Sequence, residues 1–364
     1  MKTKLAILAG VILAVLSTFA IAGNLLTSPW SSKEFPQGQQ SPFDTAVHEK
    51  SEPPLVITKD PNILKGKGFF YDMGGTLYKQ SISHDGTLAT TSEKVATGSI
   101  RLVDQSEGLV LFRKDIHEGS HTSENELWVL DRVTGVTKKL IDNVINGGGS
   151  SISPQEDILT VVTNDMELLV LNPDGDIITT IGTHGLSSTF SPDGTKIAYI
   201  KLKDEKITLG DEDMFQGVAV YDLVTGKDAL IFKAGTEGKE YKIVGWSPDG
   251  KRIYFPSAND AVWSVDIDGT GKRQETNKAG VPFVSTYLNQ LLYTDDGKIV
   301  FGKANGVWMF HLGKDWEFLS ARKVVEGADD NIAMLSWIEK GKSISVRYYD
   351  KSTTTVYLVS DLKR

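Results

Sequence analysis

Along residues 245–277, short bursts of apolar and polar positions predict four β-strands. Gly245-Trp246 opens the stretch, followed by the polar turn Ser247-Pro248-Asp249-Gly250. Arg252–Phe255 is an apolar run, Asn259-Asp260 a tight reversal, and the next strand carries Trp263. Asp268–Gly271 then makes a Gly-rich turn into a polar last strand. Pro fixes φ at the second turn position. Asp followed by Gly supplies a side-chain hydrogen bond and the positive φ that the reversal needs. Four strands and three turns in about 35 residues describe one small antiparallel sheet.

The unit recurs. The third strand reads ELWVLD at 126–131, AVWSVD at 261–266 and GVWMFH at 306–311, with TVYLVS, GVAVYD and ELLVLN as further copies and TLYKQS at 76–81 the weakest. Its marker positions are Tyr78, Trp128, Leu169, Ala219, Trp263, Trp308 and Tyr357, separated by 50, 41, 50, 44, 45 and 49 residues. SPDG at 191–194 and 247–250, SPQE at 153–156 and TDDG at 294–297 recur at blade-sized spacings, with weaker forms at 105–108, 339–341 and around Gly66. A period of this size, filled by four strands, predicts an all-β fold, a β-propeller of four-stranded antiparallel blades over residues 55–364. Seven markers give seven blades, or six if the first repeat is not a complete sheet. The last repeat supplies three strands. The segment Pro54–Lys59 is expected to add its outer strand, closing the ring by pairing the N- and C-terminal strands.

SPDGTKIAYI at 191–200 and SPDGKRIYF at 247–255, each followed by a strand ending in Asp and a Gly turn, resemble the TolB-type propeller repeat. TolB-type proteins carry an α/β domain ahead of the propeller, for which the spacer here leaves no room. The resemblance therefore implies the propeller fold and an envelope location rather than the Tol–Pal role.

Three connections between second and third strands are minimal (Asn164-Asp165, Asn259-Asp260 and Asn305-Gly306), while Asp115–Asn125 and Lys203–Gln216 are long. Antiparallel order puts these connections on one face together with the links between blades. Extra length that packing does not require points to recognition. His117, Glu118 and His121 in the first long loop, and Asp211, Glu212, Asp213, Met214 and Phe215 in the second, are the candidate partner-binding residues. Met214 and Phe215 are expected to form an exposed apolar pair beside the acids. The tryptophans at the marker positions are expected to pack between blades.

The remaining motifs give no chemistry. His117–His121 matches HExxH, but it lies between two extended apolar runs and Gly119 disfavours the helix that string needs. GWSPDGKR at 245–252 has Arg252 where a phosphate-binding loop needs Ser or Thr, and a strand follows it. The acids at 204–213 lack calcium-loop spacing. GLSST and GKSIS lack the final Gly of a nucleophile elbow. No catalytic residue, metal site or cofactor is assigned.

At 364 residues and 40% apolar, the chain can bury a large core, and a net charge of −8 gives no basic footprint for nucleic acid. There is no cysteine. Lys2 and Lys4 before the apolar run Leu5–Leu16, with an Ala20-Ile21-Ala22 ending, read as a secretory signal peptide cleaved after Ala22. The competing reading is an uncleaved anchor over Leu5–Leu26. Either places the rest of the chain outside the cytoplasm, in the periplasm or at the cell surface. Residues 23–54, rich in Ser, Pro, Gln and Gly, read as a flexible linker. The expected function is a non-enzymatic envelope scaffold that binds another envelope protein. The rivals are a propeller enzyme (lyase, lactonase or glycan-active) with a site at the central channel, and an accessory subunit of a membrane complex.

Overall fold

The structure is a computed structural model. It describes residues 55–57, 68–82, 89, 91–116, 125–145, 149–183, 185–203, 214–233, 245–256, 262–275, 291–294, 296–304, 306–326, 332–339, 343–348 and 354–362. Contacts divide the chain into Met1–Ser51 and Glu52–Arg364, and every described residue lies in the second unit.

The described residues form antiparallel sheets of the predicted size. In chain order, β1 (Val56–Ile57), β2 (Gly68–Met73), β3 (Thr76–Ser81) and β4 (Glu93–Thr97) make the first sheet. The second holds β5 (Ile100–Gln105), β6 (Leu109–Asp115), β7 (Asn125–Asp131) and β8 (Thr137–Ile141). The third holds β9 (Ser151–Ile152), β10 (Leu159–Val162), β11 (Glu167–Leu171) and β12 (Ile177–Thr183). β13 (Gly185–Phe190), β14 (Lys196–Leu202), β15 (Phe215–Asp222) and β16 (Lys227–Lys233) form the fourth. β17 (Gly245–Trp246), β18 (Arg252–Pro256), β19 (Val262–Asp266) and β20 (Arg273–Gln274) form the fifth. β21 (Leu291–Tyr293), β22 (Ile299–Ala304), β23 (Gly306–Leu312) and β24 (Phe318–Glu326) form the sixth. The last has three strands, β25 (Ile332–Glu339), β26 (Ser343–Tyr348) and β27 (Thr354–Leu358), followed by the short helix α1 (Val359–Leu362).

Successive sheets pack face to face. The second and third strands are largely apolar because alternate residues serve opposite faces. Val110 and Phe112 of β6 join Phe70, Leu77 and Val95 of the first sheet, whereas Leu109 and Leu111 join Leu159, Val161 and Leu169 of the third. Likewise Ile253 and Phe255 pack on the fourth sheet, and Tyr254 between them packs with Phe310 and Phe318 of the sixth. The marker tryptophans serve the same packing: Trp128 against the first-to-second sheet core, Trp263 against the fourth-to-fifth and Trp308 against the fifth-to-sixth.

The Ser-Pro-Asp-Gly turns have one repeated geometry. In Ser191–Lys196 the Gly194 N–H donates to Ser191 O, and Gly194 has φ +72°. The Ser191 hydroxyl donates to Asp193 Oδ1 at 2.6 Å and accepts the Lys196 N–H at 2.9 Å. Ser247 repeats these bonds to Asp249 and Arg252, and Thr294 repeats them to Asp296 and Ile299. In the degenerate SPQE copy, Glu156 takes the positive φ (+62°) without a glycine, and Ser153 bonds Asp157 instead.

Two expectations need correcting at the first repeat. Tyr78 lies on β3, which pairs with both β2 and β4, so it marks a second strand and not a third. The cause is local: Gly74-Gly75 makes a two-residue reversal with both φ positive, replacing the longer polar turn. The PLVITK segment does not pair with the C-terminal repeat either. Val56 and Ile57 pair with Thr97 and Ala96 of β4, completing the first sheet at its own open edge. The turn sites around Gly66 and at 340–341 lie outside the described residues. The first strands of neighbouring sheets run side by side, β2 beside β5, β5 beside β9 and β9 beside β13, and β2 also lies beside β25.

Candidate functional site

Strand alternation puts the second-to-third strand connections and the links between sheets at one end. The strand ends that flank the two long connections, β6 and β7 around 116–124 and β14 and β15 around 203–214, lie there; residues 117–124 and 204–213 themselves are outside the described residues. Their roots are held by charged and amide side chains. Arg113 Nε pairs with Asp115 Oδ1 at 3.0 Å, and Arg113 and Lys114 are both buried. Glu126 receives Lys114 at 3.8 Å, Lys139 at 3.3 Å and the Trp128 indole N–H at 2.9 Å. The Asp142 carboxylate at 3.0 Å, helped by Glu126, pushes the Lys139 ammonium above its usual range. Asn125 Nδ2 donates to Val144 O, and the Val144 N–H donates back to Asn125 O, tying the loop's end to the next inter-sheet link.

The adjacent short connection carries an amide cluster. Asn164 Nδ2 donates to Asn143 Oδ1 at 2.6 Å, and Asn143 Nδ2 donates to Asp165 Oδ2 at 3.3 Å. The positive φ there belongs to Met166 (+62°), not to the Asn-Asp pair, so the turn is a bulged three-residue type and not a minimal hairpin. At the second long connection, the Lys203 N–H donates to Met214 O, and Asp228 receives Tyr199 Oη at 2.9 Å and Lys201 Nζ at 2.6 Å.

His117, Glu118, His121, Asp211, Glu212 and Asp213 lie outside the described residues. Met214 and Phe215 are described, and they do not form the exposed pair that was expected. Phe215 is the first residue of β15, pairs with Leu202 and is 6% exposed within the fourth-to-fifth sheet core; Met214 packs against the same core. The charge on the acids before them suggested exposure, but the strand begins at Phe215 and its first side chain points inward.

A second polar array, which sequence reading missed, runs along the first strands. Asp72 of β2 accepts the Leu102 N–H of β5 at 3.2 Å, and Gln105 of β5 bonds both the N–H and the C=O of Phe70. Asp104 accepts the N–H groups of Ile152 at 2.9 Å and Gln105 at 2.8 Å. Thr160 Oγ1 accepts from Ser188 Oγ and the Ser151 N–H and shares a 2.7 Å hydrogen bond with Ser151 Oγ. Ser188 Oγ lies within hydrogen-bond distance of Gly149 O, and Trp246 Nε1 donates to Thr189 O. The bonds from Asp72 to Leu102, Gln105 to Phe70, Asp104 to Ile152 and Trp246 to Thr189 join neighbouring sheets, satisfying backbone groups that ladder pairing leaves open.

Burial pushes the Asp104 carboxyl up to about 6, against the pull of its two N–H donors. The sign follows from linkage. Folding binds a proton to Asp104 more tightly, so its stabilising contribution is complete below the unfolded carboxyl range near 4 and is lost as pH rises through about 6. Asp104→Asn should therefore gain stability relative to the parent between pH 4 and pH 7, by up to about 3 kcal/mol. Urea midpoints measured at both pH values check this; parallel pH profiles would refute it.

Among the described residues, no group of three or more His, Cys, Asp or Glu side chains is placed to hold a metal ion, and no helix is long and apolar enough to cross a membrane. No family model matches the chain. No curated protein matches it. Among solved structures, it is similar to the tricorn protease, with a TM-score of 0.56 and 15% identity over 82% of this chain and 33% of that one. At that identity the likeness is one of fold. The chain spans about a third of that protein's length. The fold is all-β with a β-propeller-like architecture, its sheets having the size and antiparallel order of blades.

Proposed function

We propose that this chain is an extracytoplasmic, non-enzymatic β-propeller of TolB-like repeats that holds another envelope protein on its loop-bearing face. The seven sheets among the described residues, read as seven blades, each carry one sequence marker, and β2 lying beside both β5 and β25 supports a closed ring. The observation that carries the binding reading is the pair of long connections at one end, the first rooted on Arg113–Asp115, the Glu126–Lys139 cluster and Asn125, the second beside the Lys201–Asp228 pair and the Lys203–Met214 bond. Braced roots hold a recognition loop in place at lower ordering cost on binding. The N-terminal segment supplies export or tethering, and the partner is a protein of the same compartment.

The test replaces 116–124 and, separately, 204–213 with two-residue Asn-Gly reversals. One and the same solubilised envelope protein should co-purify with the parent and be lost with at least one variant, while thermal unfolding stays within a few degrees. Undiminished capture by both variants would remove the assignment of the face. The enzyme reading has its nearest candidate in Asp104, whose carboxylate accepts the Ile152 and Gln105 N–H groups on the first-strand wall and is raised toward neutrality by burial. An activity lost in Asp104→Asn with partner capture intact would favour it.

A further inference from the structure

The last sheet is one strand short. β27 pairs along one edge with β26, from Thr354↔Arg347 to Leu358↔Ser343 with no shift in register, and no strand lies on its other edge among the described residues. In the second to fifth sheets the chain turns after the third strand through a glycine of positive φ (Gly135, Gly175, Gly226, Gly269) and returns as the fourth. After β27 it coils directly into α1. Val359 and Leu362 of α1 pack with Val325 of β24, and Arg322 of β24 donates to Leu362 O, so this continuation is held on the neighbouring sheet. β1, the other candidate, is spent on β4. The Thr-Thr-Val-Tyr-Leu edge has no charge, proline or bulge, the devices that usually block strand addition.

We infer that the free edge of β27 receives an extended strand from a separate polypeptide, antiparallel, as the fourth strand of this sheet. The chain's own fourth strands say what such a guest looks like. β8 is TKKLI, β16 KDALIFK and β24 FLSARKVVE: in each a basic or mixed polar pair (Lys138-Lys139, Lys227-Asp228, Arg322-Lys323) precedes two adjacent bulky apolar residues. In β16 the polar Lys227 and Asp228 lead and Ile231 and Phe232 are buried; in β24 Val325 is buried. The guest is therefore a strand in which a basic or mixed polar pair precedes paired aliphatic or aromatic residues. This edge is independent of the loop-bearing face, and either assignment can fail alone.

The probe is a synthetic nonapeptide with the sequence of β24, FLSARKVVE, offered to the full chain in three forms: unmodified, and N-methylated on one or the other alternating set of residues. Strand addition uses the backbone N–H groups of one set only. The unmodified peptide should bind saturably and slow hydrogen exchange at 354–358. One methylated form should match it and the other bind at least about tenfold more weakly, the equivalent of one or two lost backbone hydrogen bonds. No binding, or equal binding by both methylated forms, overturns the inference. So does strong protection of 354–358 before any peptide is added, because the edge would then already be covered by the chain itself or by a second copy.

Discussion

Glu275→Ala is expected to destabilise the fold by about 3–5 kcal/mol, the range for removing one partner from a buried ionic network. Glu275 is 0% exposed and follows β20. Its Oε1 accepts from Ser264 Oγ and from Arg273 Nε, and its Oε2 accepts the Phe318 N–H across the boundary with the sixth sheet at 2.9 Å. Ser264 in turn accepts Arg252 Nη1 at 2.7 Å, while Arg252 Nη2 pairs with Asp266 at 2.8 Å and Arg273 Nη2 reaches Asp315 O. Removing the carboxylate leaves a buried amide and a hydroxyl without acceptors and weakens the join between two sheets. Glu275→Gln keeps the volume but points an NH₂ at groups that already donate, so about half of that loss is expected. The exposed Lys138–Asp174 pair, 3.2 Å apart, is the internal control. Asp174→Ala should cost no more than about 1 kcal/mol, because solvent screens such a pair. Denaturant midpoints rank the three variants. Equal effects for Glu275→Ala and Asp174→Ala would mean that the network is not what joins these sheets.

The same network shows where sequence reading stops. The turns were legible because each is written in four or five consecutive residues, and Gly194 and Gly250 adopt the positive φ that Asp-Gly encodes. The apolar strands were legible because burial on two faces leaves no polar alternation. Glu275 was not, because Phe318 is 43 residues away on another sheet, nor was Asp104, whose acceptor bond to Ile152 spans 48. The hydroxyl of the first turn residue was overlooked for a different reason. Ser191 and Ser247 sit where composition suggests only polarity, yet each accepts a backbone N–H five residues on and so closes its turn. The first repeat misled because a Gly-Gly reversal shifted the marker by one strand. Phe215 misled because neighbouring charge was taken as a sign of exposure for a residue that starts a strand. Of the binding loops, sequence could give position and length only; their contact residues follow no period.

Gly149→Ala tests the first-strand wall, and its effect should be nearly as large. A Cβ on Gly149 would lie 2.5 Å from Ser187 Cα and 2.7 Å from Ser188 N, both backbone atoms of β13 with no rotamer to turn aside. That segment is already irregular. Ser187 holds φ +47° within the register shift between Leu186 and Thr189, and the Ser188 N–H donates to Gly149 O at 3.2 Å. The added methyl must part the third and fourth sheets or flatten the bulge. Overpacking against backbone costs about 1–3 kcal/mol, and loss of the Ser188 N–H bond to Gly149 O about 1 more, giving about 2–4 kcal/mol together. Gly74→Ala separates steric cost from conformational cost. Gly74 has φ +55° but open space around it, so only the left-handed backbone penalty of about 1–2 kcal/mol applies. The variants should also differ in where the structure loosens. Hydrogen exchange should quicken across β9 and β13 in Gly149→Ala, and only at the β2–β3 turn in Gly74→Ala. If Gly149→Ala proves no costlier than Gly74→Ala, the sheets slide past one another easily, and the side-chain bonds along their first strands do not fix their spacing.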